Sequence, residues 1–193
     1  MSAEMGLVLQ LALGVVFLLS AAGKLRDPKG FALAVADYQV LPALLAYPVS
    51  LLIIGLESWL AITHLTGLLM AVAAPLGFAT LASFVVAVGV NLKRGRGLPC
   101  YCFGGRGGET ISSRTLTRLI LLLSCEGLLL ADPIFFTTNQ LIYPDRITRF
   151  SDLALALFWA TFLLVGGSWL LNLPDLMDLL RPSKSVWRIG SRP

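Results

Sequence analysis

ALLAYPVSLLIIGLESWLAITHLTGLLMAVAAPLGFATLASFVVAVGV, Ala43–Val90, contains no lysine or arginine and a single acidic residue, Glu57. It is too long for one membrane helix, which needs roughly 20 residues to cross the hydrocarbon core. The polar and glycine-containing stretch Thr63–Gly67 is the natural place to divide it into two spans. Three further apolar runs flank this block: Gly6–Gly23 before it, Ile111–Ala131 and Leu153–Leu173 after it. The pattern predicts five helices. The fourth is the least apolar, because Arg114 and Arg118 fall in its first turns.

Composition agrees. Of 193 residues, 56% are hydrophobic and only 13% charged, and mean hydropathy is +0.81. A soluble domain carries about 25% charged residues. The expected fold is therefore all-α, a polytopic membrane bundle with a four-helix core and one extra C-terminal helix. Residues 1–150 form the membrane domain, with core helices over about residues 6–131. Residues 151–193 add the last helix and a basic tail. The first span does not read as a cleaved secretory signal, because no basic residue precedes it.

Charge orients the spans. With five helices, one face collects Lys24, Arg26, Lys29, Lys93, Arg94, Arg96, Arg106, Arg114, Arg118, Arg181, Lys184, Arg188 and Arg192, and the other only Arg146 and Arg149. Basic loops stay cytoplasmic. The N-terminus is expected outside the inner (plasma) membrane and the C-terminus in the cytoplasm. The net charge of +4 follows from this rule and from attraction to anionic headgroups. Interleaved aromatic and basic side chains, the mark of nucleic-acid binding, are absent, so the expected partners include the lipid bilayer and no nucleic acid.

The cysteine-bearing loop is the candidate site. Cys100 and Cys102 lie one residue apart between Pro99 and Phe103-Gly104-Gly105, with Arg96, Arg106 and Arg114 around them. A helix start is expected near Ser112 or Ser113. Positive charge and a helix N-terminus both stabilise a thiolate. A disulfide across one residue closes a very small ring, and strained disulfides are readily reduced. Cys100 and Cys102 are accordingly the candidate catalytic pair, with Arg106 and Arg114 in support. The competing reading is a metal clip. Zinc wants four ligands, and only Cys125 and His64 remain, one deep in the fourth helix and one near the opposite face. At most a two-thiolate Cu(I) site could form, so no metal site is assigned.

Glu57 and Glu126 are charges within spans. Such a carboxylate is protonated, paired or turned to a polar cavity. Each is expected either to close a hydrogen bond between helices or to handle protons coupled to the thiols, the latter extending to one wall of a quinone pocket. No cofactor beyond that quinone is implied. Arg118 is expected to snorkel, Trp59, Trp159 and Trp169 to pack or anchor, and Pro75 to kink the third helix.

Three segments taken together resemble the MauE family of redox-associated membrane proteins, related to the four-helix DoxX type. They are SAAGKLRDPKGFALAVADYQVLP (Ser20–Pro42), GLESWL (Gly55–Leu60) and PCYCFGGRGGETISSRTLTR (Pro99–Arg118). The resemblance implies a membrane thiol–disulfide protein. It would exchange electrons with a thioredoxin-like partner and support disulfide formation or maturation of an exported client, as in methylamine dehydrogenase biogenesis. Other membrane subunits are further partners of such a role. Tyr101 stands where the family usually has Gly, and Leu119 where Asn is common after the Arg. The alternative is a non-catalytic membrane subunit or assembly factor with a soft-metal thiolate site.

Overall fold

The computed structural model describes residues 3–100 and 110–131, with side chains from residue 5 onward. Five helices make up these residues: α1 Ala3–Arg26, α2 Pro28–Asp37, α3 Ala43–Thr66, α4 Met70–Lys93 and α5 Ser113–Leu130. Among the described residues the remaining ordered pairing is one isolated antiparallel bridge, Pro99 with Thr110. Cys102, Arg106, the expected helix Leu153–Leu173 and the basic tail lie outside the described residues.

Among the described residues, three helices are long and apolar enough to cross a membrane: Met5–Arg26, Ala43–Thr66 and Met70–Lys93. The 18-residue α5 carries Arg114, Arg118 and Glu126, which makes it the least apolar of the long helices. The division of the central apolar block falls where the sequence places it. Gly67 caps α3 in the left-handed region, φ 75°, and its N–H bonds Thr63 O. That conformation carries no steric penalty only for glycine. Pro75 lies inside α4, where neighbouring helices can re-satisfy the backbone it frees.

The connection Lys24–Pro42 contains a helix, α2. Asp27 supplies its N-cap, accepting from Gly30 N at 2.9 Å, and Pro28 occupies the first position. Pro at that position forfeits only a hydrogen bond the helix would not have made. The missed signal was this Asp-Pro start. α2 ends at Tyr38 and Gln39, the latter at φ 49°. Its C-terminal end is fastened to α4: Asn91 Nδ2 donates to Tyr38 O (3.0 Å), Arg96 to Asp37 O (3.1 Å), and Arg94 to Gln39 O (3.4 Å).

α1 packs most extensively on α3, α5 on α4, and α2 on α3. The main core gathers Leu13 and Phe17 of α1, Leu60 and Ala61 of α3, Met70, Ala73, Ala74 and Leu81 of α4, and Leu129 of α5. Ala61, Ala73 and Ala74 let the backbones approach closely, the contact mode that operates where lipid gives no hydrophobic drive between helices. Leu44, Leu33 and Leu52 point outward, Leu44 89% exposed, a face suited to acyl chains. Trp59 packs against the main core.

Candidate functional site: a thiol loop and two buried acid–base pairs

The loop that holds the cysteines is closed at its base. Ile111 N donates to Leu98 O (2.8 Å), and the Pro99–Thr110 bridge brings the two strands of chain together. Ser112 then caps α5. Its hydroxyl accepts from Thr115 N, and the Thr115 hydroxyl accepts from Ser112 N, a reciprocal capping box. The helix start expected from the sequence is therefore at Ser112–Ser113. Cys100 sits just inside the closed base, half-buried, on an apolar floor of Val88, Ile111 and Leu119 with Phe84, Leu98 and Tyr38 at its margin.

The charge around the loop is organised differently from the sequence expectation. Arg96 bonds Asp37 O and, at 2.8 Å, Gln39 Oε1. It holds the C-terminal end of α2, where a cation meets unsatisfied carbonyls favourably, and its guanidinium is directed there. Arg114 lies in the first turn of α5, half-buried.

Below the loop floor lies the first buried pair. Lys24 Nζ donates to Glu57 Oε1 (2.7 Å), to Glu57 Oε2 (2.8 Å) and to Ser20 Oγ (2.6 Å), and Ser20 Oγ donates to Glu57 Oε1 (3.1 Å). Lys24 and Glu57 are 2% and 1% exposed. The ammonium also lies 5.2 Å from the Phe31 ring centroid and 5.3 Å from that of Phe84, within cation–π range. Four helices thus meet on one cation. By helix rise Glu57 lies about 20 Å from the start of α3 and about 14 Å from its end, well inside the span.

Lys24 was counted among the cytoplasmic loop charges. It is not one. A helical side chain leans toward the helix N-terminus, and Lys24 follows that lean back to Ser20, one turn earlier, and into the bundle. It therefore drops out of the loop charges on which the expected orientation rests.

The second pair lies at the other end of the bundle. His64 Nε2 is 3.0 Å from Glu126 Oε1, and both side chains are fully buried. His64 Nδ1 contacts Leu60 O at 2.8 Å. Phe17 tilts against the imidazole with centroids 5.4 Å apart, and Gln10 Nε2 donates to His64 O at 2.7 Å. The carboxyl group lies on the α4 backbone at Gly77, where an added Cβ would come within 2.5 Å of Glu126 Oε1. A side chain at this position would push the carboxyl group aside.

Glu57 and Glu126 each close a contact between helices, but with different partners, and the structure does not bring the two together. Both nitrogens of His64 are engaged within the bundle, which removes it from any ligand set with the cysteines. Cys125 sits half-buried against the main core, about 18 Å along α5 from its start at 1.5 Å per residue, far from Cys100. Lys24, Ser20 and His64 are the site residues that sequence reasoning missed. A usable signal existed: the spans hold two carboxylates, each needing a cation, and Lys24 and His64 are the basic groups placed to serve.

These features define a helical membrane protein whose apolar bundle encloses two acid–base pairs beneath a tethered thiol loop. A family model described as methylamine utilisation protein MauE matches residues 2–131, and the chain belongs to the MauE family, a membrane family linked to methylamine utilisation. No curated protein and no solved structure matches it. Two of the motifs that carried the resemblance, SAAGKLR and GLESWL, are the two halves of the Lys24–Glu57 pair.

Proposed function

We propose that this chain is a thiol–disulfide redox protein in which Cys100 and Cys102 exchange electrons with a thioredoxin-like partner, in support of disulfide formation or maturation of an exported, methylamine dehydrogenase-like client. The observation that carries the reading is the position of Cys100. It lies at the closed neck of the loop, half-buried against the cluster of Val88, Ile111 and Leu119, the last of these in α5, with Cys102 two residues on in sequence. A helix N-terminus with Arg114 in its first turn favours thiolate.

The exchange is a pair of displacements. The Cys102 thiolate attacks one sulfur of the partner's disulfide, forming a mixed disulfide and releasing one partner thiolate. The Cys100 thiolate then attacks the Cys102 sulfur, which frees the second partner thiolate. The two cysteines end oxidised and the partner ends reduced by the same two electrons; the reverse cycle uses the same steps. Cys102 is assigned the attack because Arg106 and Arg114 lie on its side of the loop in sequence and Pro99 restrains Cys100.

In this account the loop faces the cytoplasm of the inner membrane, the N-terminus lies outside and the C-terminus inside, on the charge asymmetry. Lys24–Glu57 serves as the tie that fixes the floor under Cys100, since Phe84 touches both the ammonium and the Cys100 cluster.

The test is trapping. Cys100→Ser should accumulate a reductant-sensitive adduct with a partner protein on a non-reducing gel, while Cys102→Ser traps little. Replacing Arg106 and Arg114 by Gln should slow adduct formation at neutral pH. If neither single variant traps protein and both keep wild-type function in cells, thiol exchange is not the loop's task. The non-catalytic subunit or assembly-factor reading then replaces it.

A further inference from the structure

His64 and Glu126 play no part in the thiol exchange, yet their hydrogen bonding restricts what they can be. The carbonyl of Leu60 only accepts, so at 2.8 Å the Nδ1 of His64 must carry a proton. That leaves Nε2 facing Glu126 Oε1 at 3.0 Å. A neutral imidazole opposite an ionised carboxylate would set lone pair against lone pair, so a second proton lies on the Nε2–Oε1 axis. Whether it is written as imidazolium with carboxylate or as imidazole with carboxylic acid, the pair holds that one proton and is neutral as a whole.

We propose that His64 and Glu126 form a one-proton site, a dyad that shares a single proton on the Nε2–Oε1 axis. Three observations converge on it. Both side chains are fully buried. Among the described residues Glu126 Oε2 has no hydrogen-bond partner, so the carboxyl group is engaged through Oε1 alone. Gly77 leaves space for the carboxyl group where any side chain would displace it.

Among the described residues, Glu126 is the one ion-pair partner of His64. From α1 the neighbours are Phe17 and the uncharged Gln10, and Lys24 is held by Glu57. On α3 the other ionisable groups are Glu57, two turns away and already ion-paired, and the exposed Tyr47 near the start of the helix. α4 has none before Lys93 at its end. On α5, Cys125 adjoins Glu126 in sequence and Arg118 lies about 12 Å back toward the loop by helix rise. Lys29 and Asp37 of α2 are exposed. The start of α5 is about 20 Å from Glu126 by helix rise, too far for direct proton transfer to Cys100. The dyad therefore lies at the end of the bundle opposite the thiols.

The chain contains one histidine, so ring-15N-histidine labelling of the full-length protein in lipid nanodiscs reports His64 without assignment. The expected wild-type spectrum has Nδ1 protonated and Nε2 displaced from a bare-acceptor shift toward the protonated one. In Glu126→Gln, with helicity and elution volume unchanged, Nε2 should move to the shift of a neutral imidazole whose Nε2 accepts from an amide. Gly77→Ala, which pushes the carboxyl group off His64, should move Nε2 the same way. A wild-type Nε2 already at the Glu126→Gln shift across the pH range would overturn the proposal, as would an unprotonated Nδ1. The readout contains no thiol chemistry, so it stands or fails apart from the trapping experiment.

Discussion

Two acid–base pairs lie on one face of α3, at Glu57 and His64, two helical turns apart, and they are finished to different degrees. Around Lys24 and Glu57 the carboxylate has both oxygens on the ammonium and a serine besides, and the cation has two aromatic rings for walls. At His64 and Glu126 one carboxyl oxygen has a partner and the other, among the described residues, has none. A fully satisfied buried pair resists change because removing either half strands a charge in apolar surroundings. A pair left partly satisfied depends on a single proton to stay neutral. The first has the character of a structural joint, and the second that of a reactive group.

The comparison breaks most visibly at Lys24. Lys24→Met leaves Glu57 buried beside an apolar side chain and should cost about 3–5 kcal/mol in unfolding by denaturant in detergent. Lys24→Met combined with Glu57→Leu should recover most of that loss, because the apolar pair leaves no stranded charge. Equal loss in the single and double variants would mean that packing, not charge pairing, holds α1 to α3. Glu57→Gln should also destabilise strongly. A sequence reading that expected only a hydrogen bond between helices would let an amide substitute harmlessly, but the partner is an ammonium that needs its counter-charge.

At the second pair the same kind of change should be mild. Gly77→Ala forces a Cβ against the Glu126 carboxyl group and should cost about 1–3 kcal/mol by overpacking. Glu126→Gln should cost about 1 kcal/mol or less, since an amide can still bond the imidazole. If Glu126→Gln proved as damaging as Glu57→Gln, the distinction between joint and reactive group would fall. A similarly small effect concerns neither pair. Ser112→Ala removes the α5 cap and should cost about 1 kcal/mol, read as earlier loss of helix signal on heating.

Much of this architecture is legible in the chain. The break at Thr63–Gly67 and the α5 start at Ser112 follow from local rules, a glycine that accepts positive φ and a serine with a threonine three residues on. Glu57 and Glu126 stand out as carboxylates in apolar spans. Their partners are harder to read, because pairing is settled by tertiary packing. Lys24 sits at the end of an apolar run where a lysine ordinarily snorkels to water, and the packing of α3 against α1, which brings Glu57 to its ammonium, turns it inward. Arg96 illustrates the reverse error. Its neighbourhood in sequence suggested a role beside the thiols, while its guanidinium is directed at the end of α2.

The orientation of the loop sharpens the contrast between the two ends of the bundle. In a Cys100→Ser/Cys102→Ser background, a cysteine introduced by Ser112→Cys should react with an impermeant maleimide only from the cytoplasmic side. Cys125, half-buried on the main core, should resist until the membrane is dissolved. Labelling of the Ser112→Cys protein in intact cells from outside would reverse the orientation drawn from the charge asymmetry.

The central claim, that Cys100 and Cys102 form a working redox pair, is tested most directly by the mass of the protein alkylated straight from membranes, with and without reductant. The account predicts a peptide containing both cysteines that gains two alkyl groups only after reduction, and that cycles reversibly through a two-proton mass difference. Two fully alkylated cysteines under every condition, or tight retention of copper by the unalkylated pair, would contradict it.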